Sequence, residues 1–220
     1  NGGGAPDAVY GNDGSGVFTQ MQVLGPTFAH DVAVGDFNGD AVPDIVVATI
    51  QGGQVYLGDG MGGFLLDATL GAANSRGVAV GKIDGDDLDD IVFANVGSDS
   101  QVWIQNAAGG FSGGALLPIG DAAAVVVSDL ANDMRPDDLA FARIPAAPDD
   151  VPGNPVLIND GSGTFVPPVA LLGIAPTSDI QAGDVNRDGI TDLVFINSIG
   201  LHQIWTGLGS TAFELYREQI

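Results

Sequence analysis

Asp184, Asn186, Asp188 and Asp192 occupy positions one, three, five and nine of the run D-x-N-x-D-x-x-x-D. Oxygen donors at alternate positions of a tight loop suit a hard cation, which takes about six to eight oxygens. With the backbone carbonyl of Ile190 at position seven and Asp192 closing the shell, the run offers what Ca²⁺ requires, and Gly189 suits the sharp turn. Asp36, Asn38, Asp40, the carbonyl of Val42, and Asp44 repeat the plan. The competing reading is a metal-free turn whose Asp and Asn side chains cap their own backbone. Two complete matches favour Ca²⁺, as does the repulsion among carboxylates held within a few ångströms of each other. Soft metals lack ligands here, because the chain has no Cys and neither loop has a nearby His.

Two further loops carry the pattern in degraded form. In the second, Lys82 replaces the first ligand and leaves Asp84, Asp86 and Asp90, with Asp87 and Asp89 spare. Its ammonium is placed to substitute for a cation. The third runs from Asp129 to Asp138 with one extra residue; Asp133 remains a candidate ligand, and Arg135 is an unfavourable neighbour.

Each loop sits between an apolar alternation and a β-branched run, as in Val32-Ala-Val before the first and Asp44-Ile-Val-Val-Ala after it. A second phrase alternates with it, an apolar pair, a Gly/Asn/Asp turn, then Phe. Tyr10, Tyr56, Trp103, Leu157 and Trp205 each precede by eight positions a Phe: Phe18, Phe64, Phe111, Phe165 and Phe213. Successive Phe residues are 46, 47, 54 and 48 apart, and a Pro-rich stretch at 144–155 accounts for most of the long interval. Each unit predicts four short strands. A is the alternation, B follows the Asp loop, C holds the apolar pair and D starts at the Phe.

Four antiparallel strands per unit, repeated, predict an all-β fold, a β-propeller of four-stranded antiparallel blades. The chain divides into a C–D half blade (1–26) and blades at 27–72, 73–119, 120–173 and 174–220, about 4.5 blades in all. Such a count leaves three possibilities open: a fragment of a larger ring, a five-bladed ring with one half blade, or closure by another chain. The series of Tyr and Trp at one repeat position is expected to pack blade against blade.

Six Lys+Arg against 28 Asp+Glu give a net charge of −22, which excludes a phosphate-backbone partner and disfavours an anionic membrane surface. Disorder is excluded by the 45% apolar content. Only Glu214 and Glu218 are Glu; the other acids are Asp, the residue of loops rather than helices. No apolar run approaches the ~18 residues of a membrane helix.

The loops resemble the FG-GAP/VCBS repeats of integrin-α-type β-propellers, whose D-x-[DN]-x-D-G-x-x-D loops bind calcium. The resemblance implies structural Ca²⁺ bracing each A–B hairpin and ligands met on a face of the ring. The expected function is a non-catalytic adhesion or interaction module, extracellular, secreted or at the cell surface, with a protein or glycan partner. Two alternatives are a lectin with sugar pockets between blades and the accessory propeller of a secreted polysaccharide-degrading enzyme. Two motif matches fail their context. Gly58–Gly63 fits G-x-G-x-x-G and Gly110–Gly114 fits G-x-S-x-G, but both lie at C–D turns leading into strands rather than helices.

Overall fold

The computed structural model describes residues 6–25, 28–71, 73–145, 153–166 and 170–219. Most of the Pro-rich stretch, residues 146–152, lies outside the described residues, as do the proposed blade limits at 26, 27 and 72. The described residues form strands and no helix. β1 (Ala8–Asn12) and β2 (Phe18–Val23) make a two-stranded sheet. Four-stranded sheets follow: β3 (Ala29–Gly35), β4 (Asp44–Thr49), β5 (Gly52–Gly58) and β6 (Phe64–Leu70); then β7 (Asn74–Gly81), β8 (Asp90–Val96), β9 (Ser100–Gln105) and β10 (Phe111–Leu117). The third holds β11 (Ala122–Ser128), β12 (Asp138–Arg143), β13 (Asn154–Leu157) and β14 (Ala170–Leu172). The fourth holds β15 (Thr177–Gly183), β16 (Asp192–Asn197), β17 (His202–Gly207) and β18 (Phe213–Gln219).

Every complete sheet is an antiparallel meander in chain order, and its register repeats. The residue before each Asp loop pairs with the loop's last Asp: Gly35 with Asp44, Gly81 with Asp90, Ser128 with Asp138, Gly183 with Asp192. The first strand bulges near its start in all four sheets, between Ala29 and Asp31, Ser75 and Gly77, Ala122 and Ala124, and Thr177 and Asp179. A bulge at a fixed position bends the strand and raises its twist, as a blade requires. The C–D turns are equally uniform. Asp13, Asp59, Asn106, Asp160 and Leu208 each donate a backbone N–H to the carbonyl four residues on, at 2.9–3.1 Å.

The sheets stack face to face in sequence. β7 packs on β3 and β4, β11 on β7 and β8, and β15 on β11 and β12. The apolar faces between them form three separate cores, one at each seam between complete sheets. The repeated aromatic position serves these seams: Trp103 packs into the core of the first seam and Trp205 into that of the third, with Leu157 in the second. At their N-terminal ends the four first strands converge, where His30, Arg76, Ala123 and Ser178 line a single cavity of about 380 Å³. His30 turns its Nδ1 to the Ser75 carbonyl at 2.8 Å, joining the first two sheets there.

One glycine makes the first seam possible. A Cβ built on Gly53 would lie 1.9 Å from Cζ of Phe93, and Phe93 is fully buried in that seam. The ring must shift to admit a methyl group, so Gly53→Ala is expected to cost about 1–3 kcal/mol through overpacking. A chemical denaturation series reads this directly, and an unchanged midpoint would show that the seam can open.

Candidate functional site

The last Asp of every loop is fully buried and holds two elements together. Asp44 accepts from the Phe37 amide on one oxygen and from the Gly58 amide on the other, both at 2.7 Å. Asp90 does the same with Ile83 at 2.7 Å and Gln105 at 2.8 Å. Asp138 accepts from Leu130 and Asn159 at 2.9 Å, and Asp192 from Val185 at 2.9 Å and Gly207 at 3.0 Å. The partners fall at one place in the repeat, the second loop residue and the residue at the end of the third strand or, for Asn159, just past it. This carboxylate therefore ties the A–B loop to strand C whether the other loop positions are intact or degraded.

Loops one and four fold alike. The Asp36 carboxylate gathers the amides of Gly39 at 2.7 Å and Ala41 at 2.9 Å, and Asp184 those of Arg187 at 2.6 Å and Gly189 at 2.9 Å. The following donors form a ladder of Asx turns. Asn38 accepts from Asp40 and Asp40 from Val42; Asn186 accepts from Asp188 and Asp188 from Ile190. Asn38 and Asn186 also donate from Nδ2 to Asp40 and Asp188, at 3.0 and 2.9 Å. In type and order these oxygens match a hard cation, yet most are turned toward loop amides. Among the described residues no group of three or more carboxylate or imidazole side chains converges as a metal would require.

The degraded loops diverge in the places their sequences differ. In loop two the ladder survives, with Asp84 accepting from Asp86 and Asp86 from Leu88, while the Lys82 ammonium pairs with Asp87 at 3.5 Å. Asp89, spare in the sequence, accepts from the Asp36 amide of the neighbouring blade at 2.9 Å. In loop three Asp129 gathers the amides of Asp133 and Met134, and the Arg135 guanidinium engages Asp133. Asp137 is buried with Oδ1 unpartnered.

Burial sets the electrostatics. It pushes the Asp90 carboxyl up to about 6 against the two amide bonds that oppose it. Asp137 rises to about 6 as well, through burial first and the adjacent Asp138 second. Burial likewise raises Asp44 and Asp138.

A second site lies at the seam between the first two complete sheets, in a cavity of about 410 Å³. Trp103, Gln101, Asp99, Ser98 and Asn95 supply its polar and aromatic lining, over a floor of Leu70 and Phe93. The equivalent cavity at the next seam, about 470 Å³, has Leu157 and Pro155 in place of Trp103 and Gln101, and is apolar there. In the first and fourth sheets the glutamine two residues before the aromatic bonds its polar tip, Gln54 with Tyr56 at 2.7 Å and Gln203 with Trp205 at 3.3 Å. Gln101 instead lies over Gly113, whose built Cβ would be 3.2 Å from Nε2. No hydrogen bond joins Gln101 to Trp103 among the described residues. Both residues line the cavity. The sequence favours packing over a ligand shelf for this aromatic series, and it could not single out Trp103, because Gln54-Val-Tyr56, Gln101-Val-Trp103 and Gln203-Ile-Trp205 read alike and differ only in their pairing once folded.

Two measurements follow from the buried carboxylates. Asp192→Ala orphans the amides of Val185 and Gly207 and should cost about 2–4 kcal/mol; Asp192→Asn, which keeps one acceptor, should cost less. The order Ala worse than Asn in a denaturation series checks the clamp. A carboxyl raised in the folded state adds stability that is greatest below its ordinary value of 3.8 and falls away as pH climbs to about 6. In metal-free buffer the unfolding free energy should therefore fall between about pH 4 and 6, by at most about 1.4 kcal/mol per pH unit for each such group. Asp137→Asn should flatten that slope, and an unchanged slope would exclude Asp137 as its source.

Comparison with known proteins places these features. Residues 36–93 match the model of the FG-GAP-like repeat. No curated protein matches the chain. Among solved structures, the chain is similar to a lectin of Agrocybe aegerita described as recognising non-reducing terminal N-acetylglucosamine. The TM-score is 0.66 at 18% identity, over 96% of this chain and 59% of that one. It is also similar to BBS1N in a complex with ARL6DN, with TM-score 0.55 at 13% identity, over 91% of this chain and 60% of that one. The chain thus spans about three-fifths of the length of either structure. The stretch from the first Asp loop into β8 is similar to an FG-GAP-like repeat, and the chain that holds it has a β-propeller fold.

Proposed function

We propose that the chain is a non-catalytic interaction module, braced by Ca²⁺ and working outside the cell, that meets a glycan at the seam between its first two complete blades. The observation that carries this reading is the cavity holding Trp103 and Gln101. An indole offers an apolar face and one N–H donor. The Gln101 carboxamide, the Asp99 carboxylate and the Ser98 hydroxyl add donors and acceptors around it, the few convergent polar groups on an apolar floor that a small polar ligand needs. A saccharide ring, with one apolar face and a rim of hydroxyls, matches that lining. The structural likeness to a lectin agrees with this assignment but does not carry it. A protein partner at the same seam is the second reading, and the accessory propeller of a secreted polysaccharide-degrading enzyme would use the same contact.

Calcium enters the proposal through loops one and four. Their shared backbone and donor order support a hard cation held by Asp36, Asn38, Asp40, the Val42 carbonyl and Asp44, and by Asp184, Asn186, Asp188, the Ile190 carbonyl and Asp192. Asp84, Asp86 and Asp90, and Asp129, Asp133 and Asp138, are the poorer sets. Loops of this kind suit affinities of about 10⁻⁴–10⁻³ M, matched to calcium outside cells. The ion's work would be mechanical, neutralising each loop's carboxylates and fixing the A–B hairpin.

Thermal melts in EDTA and with added Ca²⁺ or Mg²⁺ test the cation. For a Kd of ~10⁻⁴ M, ~1 mM Ca²⁺ should add about 1.4 kcal/mol per site. A Ca²⁺-selective rise is expected, and no rise would leave the loops as metal-free turns. A glycan array tests the seam: Trp103→Ala should abolish sugar binding while Trp205→Ala keeps it. Equal loss in both variants, or in neither, would remove the seam from the reading.

A further inference from the structure

Both ends of the arc leave blade faces uncovered. Val32 is 58% exposed, whereas its equivalents Val78, Val125 and Ile180 are 6, 6 and 1% exposed. Tyr10 is 57% exposed where Tyr56 is 6%. At the other end, Val185 is exposed, although Phe37, Ile83 and Leu130 at the same loop position are buried. Val194, Ile196 and Ile204 are half-buried where the first three complete sheets bury the matching residues completely.

The face around Val32 has a definable shape. At the seam between the first two complete sheets, Val46 and Ala48 of β4 pack on Val78, Ile91 and Phe93. The residues equivalent to those three are Val32, Ile45 and Val47. They line a cavity of about 420 Å³ together with Val9 and Leu24 of the half blade. This is the outline that a B strand fills elsewhere. The edge of β1 agrees: β5, β9, β13 and β17 each pair with a strand on both sides, and among the described residues β1 pairs with β2 alone.

We propose that an A–B hairpin of the same repeat type completes the first sheet, its B strand pairing with the free edge of β1 and its apolar face covering Val32, Ile45 and Val47. A second copy of this chain is a poor donor, because β4, β8, β12 and β16 are each paired on both edges. The favoured source is therefore the same polypeptide ahead of β1. In the first complete blade, strand B ends at Thr49 and strand C begins at Gly52, so the connection is a short turn with little loop-closure entropy to overcome. The inference stands apart from the calcium and glycan readings.

The chain has no Cys, so Val32→Cys introduces a single thiol whose maleimide labelling reports coverage of the face. Val17→Cys, in the C–D turn, serves as the control. A copy of residues 29–52 joined directly ahead of Asp7 supplies the hairpin in register. It should slow labelling at position 32 at least tenfold and leave position 17 unchanged. The same segment added as a free peptide gives a reading that does not depend on the fusion folding. Unslowed labelling in both formats overturns the proposal. So does protection in the unextended chain that tracks dimer formation in sedimentation, which would make a second copy the occupant.

Discussion

A buried carboxylate that bridges two backbone amides organises each complete blade. Asp44, Asp90, Asp138 and Asp192 each join the second residue of the preceding loop to the end of strand C. The loop residue so held is Phe37, Ile83 or Leu130, which plugs the seam with the following blade. One side chain thus fixes the loop, sets the A–B against the B–C register, and aims an apolar residue into the neighbour. Leaving two buried amides unpaired would cost several kcal/mol, so Asp at this position survives even where the rest of the loop has changed.

The same device explains how a chain of net charge −22 stays compact. Many of its carboxylates accept hydrogen bonds from nearby backbone N–H groups. Asp13, Asp59 and Asp160 cap the C–D turns in this way, and hydrogen bonds hold their carboxyls below the usual range. Buried Asp90 and Asp137 move the opposite way, because desolvation outweighs what the amides or the nearby Arg135 return. The protein therefore holds two populations of Asp with opposite dependence on pH, separated by burial rather than by sequence context.

The seams, in turn, divide structural from recognisable surface. Three seams bury the same positions, but of the two comparable seam cavities one is lined by Trp103 and Gln101 and the other by Leu157 and Pro155. Repetition makes that difference legible: Gln54 and Gln203 show what the pair does when it only packs.

Much of this was readable in the residues. The spacing from Tyr10 to Phe18 and its four copies, with an Asp loop between alternating and β-branched runs, determined the strands, their order and the propeller fold, because strand period, turn chemistry and repeat length are local properties. The donor order of Asp36 to Asp44 and Asp184 to Asp192 was equally plain. Local sequence did not show that the last Asp of each loop is a clamp on strand C, since Gly58 and Gly207 are brought to it only by folding. Nor did it show that Asp89 reaches the neighbouring loop, or that Val32 and Val78, alike in the repeat, differ tenfold in exposure. Those outcomes depend on which blade lies against which, and burial is decided by neighbours distant in the chain.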